Sequence, residues 1–401
     1  MDERLEQVLE RARRSPFYSR RLPTGASWES VAITTKEDLR NQYPFGLLAV
    51  DRSKIVSYHE SSGTKGRPTS SYFTSADWED IAIRFLRNAV GLSSKDTFFI
   101  KTPYSMVTTA HQAHRAAEII GALIVPGDNR SSNMPYSRVV QVLRDLRISV
   151  SWSLPTEVLI WAIAARECGI DPERDFPNLR AFWVAGELLS PGKRTALSSL
   201  WGGKAIFEDY GSTETGSLAG EMPCGHVHPW SDRLLFEVLL SGGEIAQAGR
   251  GRLLVTPYFR EAMPLVRYLV DDEVEISSSP CGFPTIKVFG RASEKIQIAG
   301  RSFFPLEIED AVYQTGRELG LVFWKGQFNS DSLEIHYFAT QGGSLSDGIE
   351  RRLEIPVKTR RLPLSRFIDA ALLREPLRFS KPQFLFPQEG MNHERSNYTI
   401  G

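Results

Sequence analysis

The sequence predicts an α/β fold with a large N-terminal domain, residues 1–290, and a smaller α+β domain, residues 291–401. From about residue 97 to 211, apolar strands alternate with amphipathic helices, which is typical of parallel crossover units whose sheet is covered on both faces. From about 232, short strands follow one another without helices, which indicates a small antiparallel or barrel-like part. A charged, Gly-led segment that begins at Gly290 marks the boundary to the second domain.

The composition is that of an ordinary soluble globular protein, with 41% hydrophobic and 24% charged residues. Because 48 basic residues balance 48 acidic ones, neither nucleic acid nor an anionic membrane is an expected partner. No apolar run approaches the roughly 18 residues of a membrane-spanning helix. The first residues, MDERLEQVLERARR, are too charged for a signal peptide, and the three cysteines form no C-x-x-C pair. We therefore expect a cytoplasmic protein.

The first elements along the chain carry no predicted chemistry. Residues 1–22 place apolar side chains at helical spacing and are expected to cap the main domain. Thr35, with Asp38 three residues on, resembles a capping box at the start of a short helix that ends before Pro44.

The loop SSGTKGRP, from Ser61 to Pro68, is the first candidate for binding, and it follows a predicted strand, SKIVSYHE. Its glycines and hydroxyls beside Lys65 allow backbone N–H groups and one ammonium to approach a phosphate. It is not a P-loop, because the G-x-x-x-x-G-K-[ST] spacing is absent. The alternative interpretation of the loop is a Gly/Ser surface turn.

The alternating region consists of predicted strands separated by predicted helices. The strands are DTFFIKTPY, GALIVPG, SVSWS, NLRAFWVAG and KAIFEDYG. The helices between them are MVTTAHQAHRAAEIIG, YSRVVQVLRDLRI, TEVLIWAIAARECG and SPGKRTALSSLWG. Because ligands of such sheets bind at the carboxyl ends of the strands, the residues just after these strands are site candidates.

Two of these strand ends carry groups suited to a nucleotide. One ends in Gly186 and Glu187. The other ends in Glu208, Asp209, Tyr210, Gly211, Ser212, Thr213 and Glu214. A small residue facing an aromatic ring forms a flat slot for a planar base, while hydroxyls and a carboxylate beyond it suit phosphate and magnesium. The alternative interpretation of the second stretch is a polar loop.

The later elements are short strands and a final mixed region. In RYLVDDE, Asp271 and Asp272 lie at a strand end, where a carboxylate could accept hydrogen bonds from two ribose hydroxyls, although adjacent acids in a turn are usually only solvated. The smaller domain begins with a strand pair turned at Ala299 and Gly300 and with a helix after Pro305. Strands GLVFWKG and SLEIHYFA and helices near 345 and 364 complete it.

Taken together, these stretches resemble the adenylate-forming acyl-CoA ligases and adenylation domains, in particular the phenylacetate-CoA ligase branch with its stand-alone aryl-acid ligases. The resemblance covers nearly the whole chain, and its motifs occur in the family's order. The motifs are RSPFYSRRL, TTKEDLRNQYPFGLLAV, SSGTKGRPT, EDYGSTETG, FREAMPLVRYLVDDEVEI and GRASEKIQIAGRSFFPLEIEDAV. The resemblance implies ATP and Mg²⁺ as cofactors and a mobile C-terminal domain.

The resemblance also implies a role for each matching residue. The phosphate-binding loop would be Ser61, Ser62, Gly63, Thr64, Lys65 and Gly66. Tyr210 with Gly186 would form the adenine slot, and Thr213 would bind the α-phosphate. Glu214 would hold magnesium, Asp272 would bind the ribose, and Arg291 would be the partner of Asp272. The other candidate nucleotide-binding residues are Glu187, Glu208, Asp209, Gly211 and Ser212. The chain departs from the family where Leu269, Val270 and Asp271 replace Arg, Thr and Gly, and where Ser293 replaces the hinge Asp.

The catalytic lysine of the family corresponds best to Lys381, in FSKPQFLF, although the family's Gly is missing there. Lys358 and Lys295 are the other candidates for the catalytic lysine. For each of the three, the alternative interpretation is a surface lysine without a catalytic role. For the substrate, the resemblance implies His114 near the carboxylate, and Tyr104, Ser105, Trp183, Gly186 and Glu187 are candidate pocket residues by position. The alternative interpretation of Trp183 is a core residue. Without the resemblance, the two histidines of AHQAHRAAE would be interpreted as surface residues.

A cysteine–histidine group is a further candidate. Some relatives carry such clusters near PCGHVHPW and SPCGF, and the ligands here would be Cys224, His226, His228 and Cys281. The C-x-H-x-H spacing is not a usual zinc pattern, so the alternative is a buried cysteine with turn histidines.

The resemblance implies two half-reactions. A carboxylic acid, expected to be aryl or arylalkyl, would attack ATP and form an acyl-adenylate, and a thiol of CoA or of a carrier-protein phosphopantetheine would then release AMP. Such a ligase would suit siderophore or antibiotic assembly. Two alternatives stay open: transfer to an amine or another small nucleophile, and an inactive nucleotide-binding regulatory protein in which the departures near 270, 293 and 381 mark lost chemistry.

Overall fold

The fold was obtained as a computed structural model that describes residues 3–61, 67–129, 134–369 and Leu373. Its helices are α1 Glu3–Ala12, α2 Pro16–Arg21, α3 Lys36–Asn41, α4 Ser75–Leu86, α5 Thr109–Ile120, α6 Tyr136–Asp145, α7 Pro155–Glu167, α8 Pro191–Leu200, α9 Pro305–Gly316 and α10 Ser346–Leu353. The first strands are β1 Ser57–Glu60, β2 Ser70–Phe73, β3 Thr97–Ile100, β4 Leu123–Pro126, β5 Val150–Ser153, β6 Ala181–Val184, β7 Ala205–Ser212, β8 Gly216–Glu221 and β9 Val227–Pro229. The later strands are β10 Leu234–Leu239, β11 Ile245–Ala246, β12 Gly249–Pro257, β13 Tyr268–Ser277, β14 Thr285–Arg291, β15 Ile296–Ile298, β16 Arg301–Phe303, β17 Leu321–Phe328, β18 Leu333–Ala339 and β19 Val357–Arg361.

A seven-stranded sheet in the order β4-β3-β5-β6-β7-β8-β9 forms the centre of the molecule. Strands β3 to β7 are parallel, and β8 and β9 extend one edge in antiparallel pairing. Helices α5, α6, α7 and α8 alternate with the parallel strands, as the apolar pattern predicted. The α/β class is therefore confirmed.

The alternation of side chains along β6 shows that both faces of this sheet are buried. Phe182 and Val184 belong to one hydrophobic cluster, and Ala181 and Trp183 belong to another on the opposite face. Complete burial of a side chain the size of Phe182 or Val184 contributes about 1.5–3 kcal/mol to the stability of the fold. Trp183, expected in the substrate pocket, is 0% exposed and stacks on Phe85 with ring centroids 3.7 Å apart. It is a core residue, because an inward position on a doubly covered strand faces a helix layer.

The second sheet is antiparallel and has five strands in the order β11-β10-β12-β13-β14. Among the described residues, its edge strands β11 and β14 do not pair with each other, so the barrel-like closure expected from the sequence is not confirmed. One face packs with Leu5, Val8 and Leu9 of α1 in a common core, as the apolar spacing of that helix predicted. The Thr35–Asp38 capping box of α3 is also confirmed.

The last part of the chain has its own three-stranded sheet, in the order β17-β18-β19. The hairpin β15–β16 turns at Ala299 and Gly300, which have φ values of 50° and 76°, and α9 begins with Pro305, both as predicted. The helix expected near 364 is only a 3₁₀ turn, Leu364–Arg366. Side chains of α9 and of α7 and α8 share one hydrophobic cluster, so the interface between the two parts of the chain has an apolar core.

None of the helices in the described part of the chain has both the length and the apolar character needed to cross a membrane.

Candidate active site

The ends of the predicted phosphate loop are joined to Glu214. Strands β1 and β2 form a hairpin whose connection is this loop, and the Ser61 amide donates to the Thr69 carbonyl at 3.1 Å. The Thr69 hydroxyl donates to Oε1 of Glu214 at 2.7 Å, so the hydroxyl of Ser61, which is also bonded to Thr69, must donate to it. The rest of the predicted loop, Ser62, Gly63, Thr64, Lys65 and Gly66, lies outside the described residues.

Glu214 is a buried carboxylate that stays ionised. Its side chain is 3% exposed, and Nζ of Lys36 lies 3.6 Å from Oε1. Burial by itself raises the pKa of the Glu214 carboxyl, but the Lys36 ammonium and the Thr69 hydroxyl outweigh burial, and the pKa lies below its ordinary value. A charged oxygen at the base of a phosphate loop is a suitable ligand for a divalent cation such as Mg²⁺. Lys36 and Thr69 were not among the predicted site residues.

The predicted adenine slot and ribose acid lie together. The Tyr210 hydroxyl donates to Oδ2 of Asp272 at 2.5 Å, and Asp272 pairs with Arg291 in the β13–β14 register. Burial and then the Asp272 charge raise the pKa of Tyr210 well above its ordinary value, so the phenol keeps its proton. Val184, two residues before Gly186, pairs in the parallel register with Glu208, which lies two residues before Tyr210. Gly186 has a φ of 80°, which favours glycine there.

Two predicted nucleotide residues on β7 are engaged elsewhere. Nη2 of Arg194 lies 3.3 Å from Glu208, whose pKa burial raises to about 7. Asp209 is buried and accepts a hydrogen bond from the Ser217 hydroxyl at 2.9 Å, and burial raises its pKa well above the ordinary range. We therefore interpret both side chains as structural, because each has a protein partner on a neighbouring element.

The remaining predicted residues of these strand ends also have protein partners. Glu187 accepts hydrogen bonds from the amide and hydroxyl of Thr156, at 3.0 and 2.6 Å, and so caps the first turn of α7. The Ser212 hydroxyl lies 2.9 Å from that of Thr215. A Cβ on Gly211 would lie 2.3 Å from a backbone oxygen of β8, so only glycine fits this strand pair. The carbonyl of Thr213 accepts from the Thr108 hydroxyl at 3.5 Å.

The predicted substrate residues Tyr104 and His114 come together, with the Tyr104 hydroxyl 3.1 Å from Nδ1 of His114. Ser105 follows Tyr104 in an exposed stretch. His111 is not a simple surface residue, because its Nε2 lies 2.8 Å from the Tyr104 carbonyl oxygen. The imidazole of His59 lies beside that of His111, with ring centroids 4.9 Å apart.

His59 and Trp78 were missed by sequence reasoning, although His59 lies only two residues before the phosphate loop. Their ring centroids are 5.4 Å apart. Burial and the neighbouring His111 lower the pKa of His59 to about 4, so this imidazole is neutral at pH 7. The rings of Trp78, His59, His111 and Tyr104 therefore form one series of contacts.

The three candidate lysines differ in what the structure describes. Lys381 lies outside the described residues. The ammonium of Lys295 lies 5.2 Å from the centroid of the Phe304 ring, and Lys358 is an exposed residue of β19.

Three of the four predicted zinc ligands come together. Donor atoms of Cys224, His228 and Cys281 lie within 4.8 Å of one another. His226 is not part of this group, and its ring centroid is 6.4 Å from that of His228. His226 lies in the turn that precedes β9, and the group of described residues whose donor atoms converge does not include it, so the prediction that it is a fourth ligand is corrected here.

Comparisons with known proteins agree with the predicted family. No protein-family model matches the chain. The phenylacetate-coenzyme A ligase of Pseudomonas putida is 28% identical over 318 residues, which cover 76% of this chain and 70% of that protein. The matched regions span 64% to 73% of the lengths of four such ligases.

Solved structures show the same fold. A 2-hydroxyisobutyryl-CoA ligase in the postadenylation state superposes with a TM-score of 0.79, at 22% identity, over 90% of this chain and 85% of that one. The same ligase in the thioesterification state superposes with a TM-score of 0.65 over 90% of this chain and 84% of that one. The chain is therefore similar in sequence to the phenylacetate-coenzyme A ligases, and it shares the fold of an acyl-CoA ligase that forms an acyl-adenylate.

Proposed function

We propose that the protein is an AMP-forming acid–thiol ligase that activates a carboxylic acid with ATP and transfers the acyl group to CoA. The observation that carries this proposal is the ionised, buried Glu214, which is hydrogen-bonded through Thr69 to the base of the phosphate loop. The nearby pair of Tyr210 and Asp272 supplies a ring for a base and a carboxylate for ribose hydroxyls.

In the first half-reaction, a carboxylate oxygen of the acid attacks the α-phosphorus, and the bond from that phosphorus to the bridging oxygen breaks to release pyrophosphate. No general base is needed, because a carboxylic acid is already ionised at pH 7. Glu214 would hold Mg²⁺, which neutralises charge on the phosphate oxygens when it is bound. The protein contributes mainly by positioning its donors toward that charge.

In the second half-reaction, a thiol sulfur attacks the carbonyl carbon of the acyl-adenylate. The bond between that carbon and the phosphate oxygen breaks, AMP leaves, and the thiol proton passes to solvent. CoA is the thiol that fits the named relatives, and a phosphopantetheine arm on a carrier protein presents the same group.

We further propose an aryl or arylalkyl acid as the substrate. The rings of His59, Trp78 and His111 form one cluster with the ring of Tyr104, and His59 and Trp78 are buried. A cluster of aromatic rings that reaches the candidate substrate residue Tyr104 favours a flat aromatic group over a charged or small aliphatic one. Use of the thioester in secondary metabolism stays a prediction.

Acid-dependent exchange of radioactive pyrophosphate into ATP tests the proposed function. We expect exchange with one class among benzoic, hydroxybenzoic, phenylacetic and cinnamic acids, and little with aliphatic acids. Products formed with CoA, a carrier protein or an amine are then identified by mass. An amide as the sole product would replace the thiol transfer with amine transfer. ATP binding without exchange for any acid would overturn the ligase proposal in favour of a nucleotide-binding regulatory protein.

We also propose that residues 291–401 form a mobile domain that is held in the arrangement seen here by a contact between α8 and α9. The Gly192 amide at the start of α8 donates to Oδ1 of Asp310 at 2.7 Å. Nζ of Lys193 lies 3.3 Å from Glu309 and 3.6 Å from Glu187, the residue that follows the Gly186 turn. This contact therefore joins the C-terminal part to the end of β6. The better superposition on a postadenylation state supports the proposal.

The close approach at Gly192 makes this contact testable. A Cβ there would lie 2.8 Å from Cβ of Tyr313 and 3.0 Å from the backbone nitrogen of Gln314. We expect Gly192→Ala to push α9 away and to slow pyrophosphate exchange about 10-fold, since small misplacements of reacting groups are costly. Thioester formation from a supplied acyl-adenylate should be unchanged or faster. Equal losses in both assays would contradict the proposal.

Gly242→Ala is the matched control for this experiment. An added Cβ at Gly242 would meet nothing within 4 Å, so both half-reactions should be unaffected.

A further inference from the structure

Two hairpins from different sheets meet at Cys224, His228 and Cys281. The turn between β8 and β9 carries Cys224, and β9 itself carries His228, at the edge of the seven-stranded sheet. Cys281 lies in the turn between β13 and β14 of the five-stranded sheet. These three residues are called the Cys–His cluster here. None of them is among the residues assigned above to nucleotide binding or to substrate binding.

The hydrogen bonds of His228 leave one nitrogen facing both sulfurs. Nδ1 lies 2.7 Å from the Pro284 carbonyl oxygen, and because a carbonyl can only accept, Nδ1 carries the proton. Nε2 therefore presents a lone pair. Sγ of Cys224 lies 3.0 Å from it, and Sγ of Cys281 lies 3.5 Å from it. Two thiols converge on a single lone pair, which can accept well from only one of them.

We propose that the Cys–His cluster binds one zinc ion through both sulfurs and Nε2 of His228, with a water molecule as the fourth ligand. With zinc bonds of about 2.3 Å to sulfur and 2.1 Å to nitrogen, a tetrahedral site separates its ligand atoms by about 3.6–3.8 Å. The observed separations, 3.0 and 3.5 Å with all donors within 4.8 Å, require shifts of about an ångström or less.

Charge and supporting contacts also favour zinc at this cluster. The thiols of Cys224 and Cys281 each release a proton to solvent when the sulfur binds, so two thiolates and one Zn²⁺ sum to zero charge. The bond from Nδ1 of His228 to the Pro284 carbonyl is the kind of outer contact that orients a ligating imidazole.

The position in the hairpin assigns a structural role to the ion. Asp272 pairs with Arg291 at the base of the β13–β14 hairpin, and Ser277 pairs with Thr285 near its tip. Five residue steps separate these pairs along β13, or about 17 Å at 3.4 Å per residue. The ion would therefore not contact the nucleotide, and it would instead fasten the hairpin tip to β9. This inference does not depend on the proposed function.

Metal content of the purified full-length chain tests the proposal. We expect about one zinc per chain from growth in zinc-containing medium, and near-total loss in Cys224→Ser, Cys281→Ser and His228→Ala. His226→Ala and Cys168→Ser are the matched controls and should keep the zinc. Cobalt substitution should give a sulfur-to-cobalt charge-transfer band and strong visible bands, which the controls retain.

Reconstitution of the wild-type chain keeps the test independent of variant folding. Wild-type protein stripped by a chelator should take up one equivalent of zinc and gain thermal stability. Wild-type protein without zinc and without a cobalt charge-transfer band would overturn the proposal. Zinc content that survives Cys224→Ser would also overturn it, as would a Cys224–Cys281 disulfide in protein purified without metal.

Discussion

Glu214→Gln is expected to lower acid-dependent pyrophosphate exchange by about 10²–10³-fold, the loss typical when one group that stabilises developing charge is removed. Glutamine keeps the size of the side chain and an oxygen that accepts from the Thr69 hydroxyl, so the base of the phosphate loop should stay in place. What disappears is the negative charge that Lys36 neutralises here and that would hold Mg²⁺ in the working enzyme. Exchange rates measured over a range of Mg²⁺ concentrations check this expectation, and the Mg²⁺ requirement should rise.

Glu208→Gln is a matched control on the strand that leads to Glu214. Because burial raises the pKa of Glu208 to about 7, this carboxyl is already partly neutral at pH 7, and glutamine imitates that form. Exchange should change less than about threefold, as for substitutions away from a site. Full exchange in Glu214→Gln, or equal losses in both variants, would contradict the role given to Glu214.

Lys381→Ala is expected to lower pyrophosphate exchange by about 10²–10³-fold and to leave thioester formation from a supplied acyl-adenylate nearly unchanged. An ammonium that contacts the α-phosphate stabilises charge that grows only while pyrophosphate leaves. Its removal should therefore affect the first half-reaction alone. The two half-reactions are measured separately, by exchange and by thioester yield in single-turnover experiments.

Lys295→Ala and Lys358→Ala serve as controls for Lys381. Lys295 lies against the Phe304 ring, and Lys358 is exposed on β19, so both have structural or solvent-facing positions in this arrangement. Their substitution should leave exchange within about threefold of wild type. Exchange that survives Lys381→Ala and is lost in one of these two would move the catalytic role to that lysine.

The sequence by itself determined the order of elements and the resemblance to a family. Apolar spacing and turn residues act over a few neighbouring positions, so the alternation from β3 to β7, the Thr35–Asp38 capping box and the Ala299–Gly300 turn could all be predicted locally. Motifs such as SSGTKGRPT and EDYGSTETG are contiguous stretches, so they can also be identified from the sequence alone. They indicated Ser61, Tyr210, Glu214 and Asp272, all four of which the structure joins by a hydrogen bond to a partner in the candidate site.

Only the tertiary structure decided which face each side chain presents and what it meets there. The Thr69–Glu214 bond joins residues 145 positions apart, and no local pattern encodes such a partner. His228 of β9, and not His226 in the turn before it, meets the two cysteines. Trp183 and Asp209 follow the strand alternation into buried layers. A motif records residue types and spacing, but a shift of one position on a strand reverses the direction of its side chain. That reversal separates residues that bind from residues that pack.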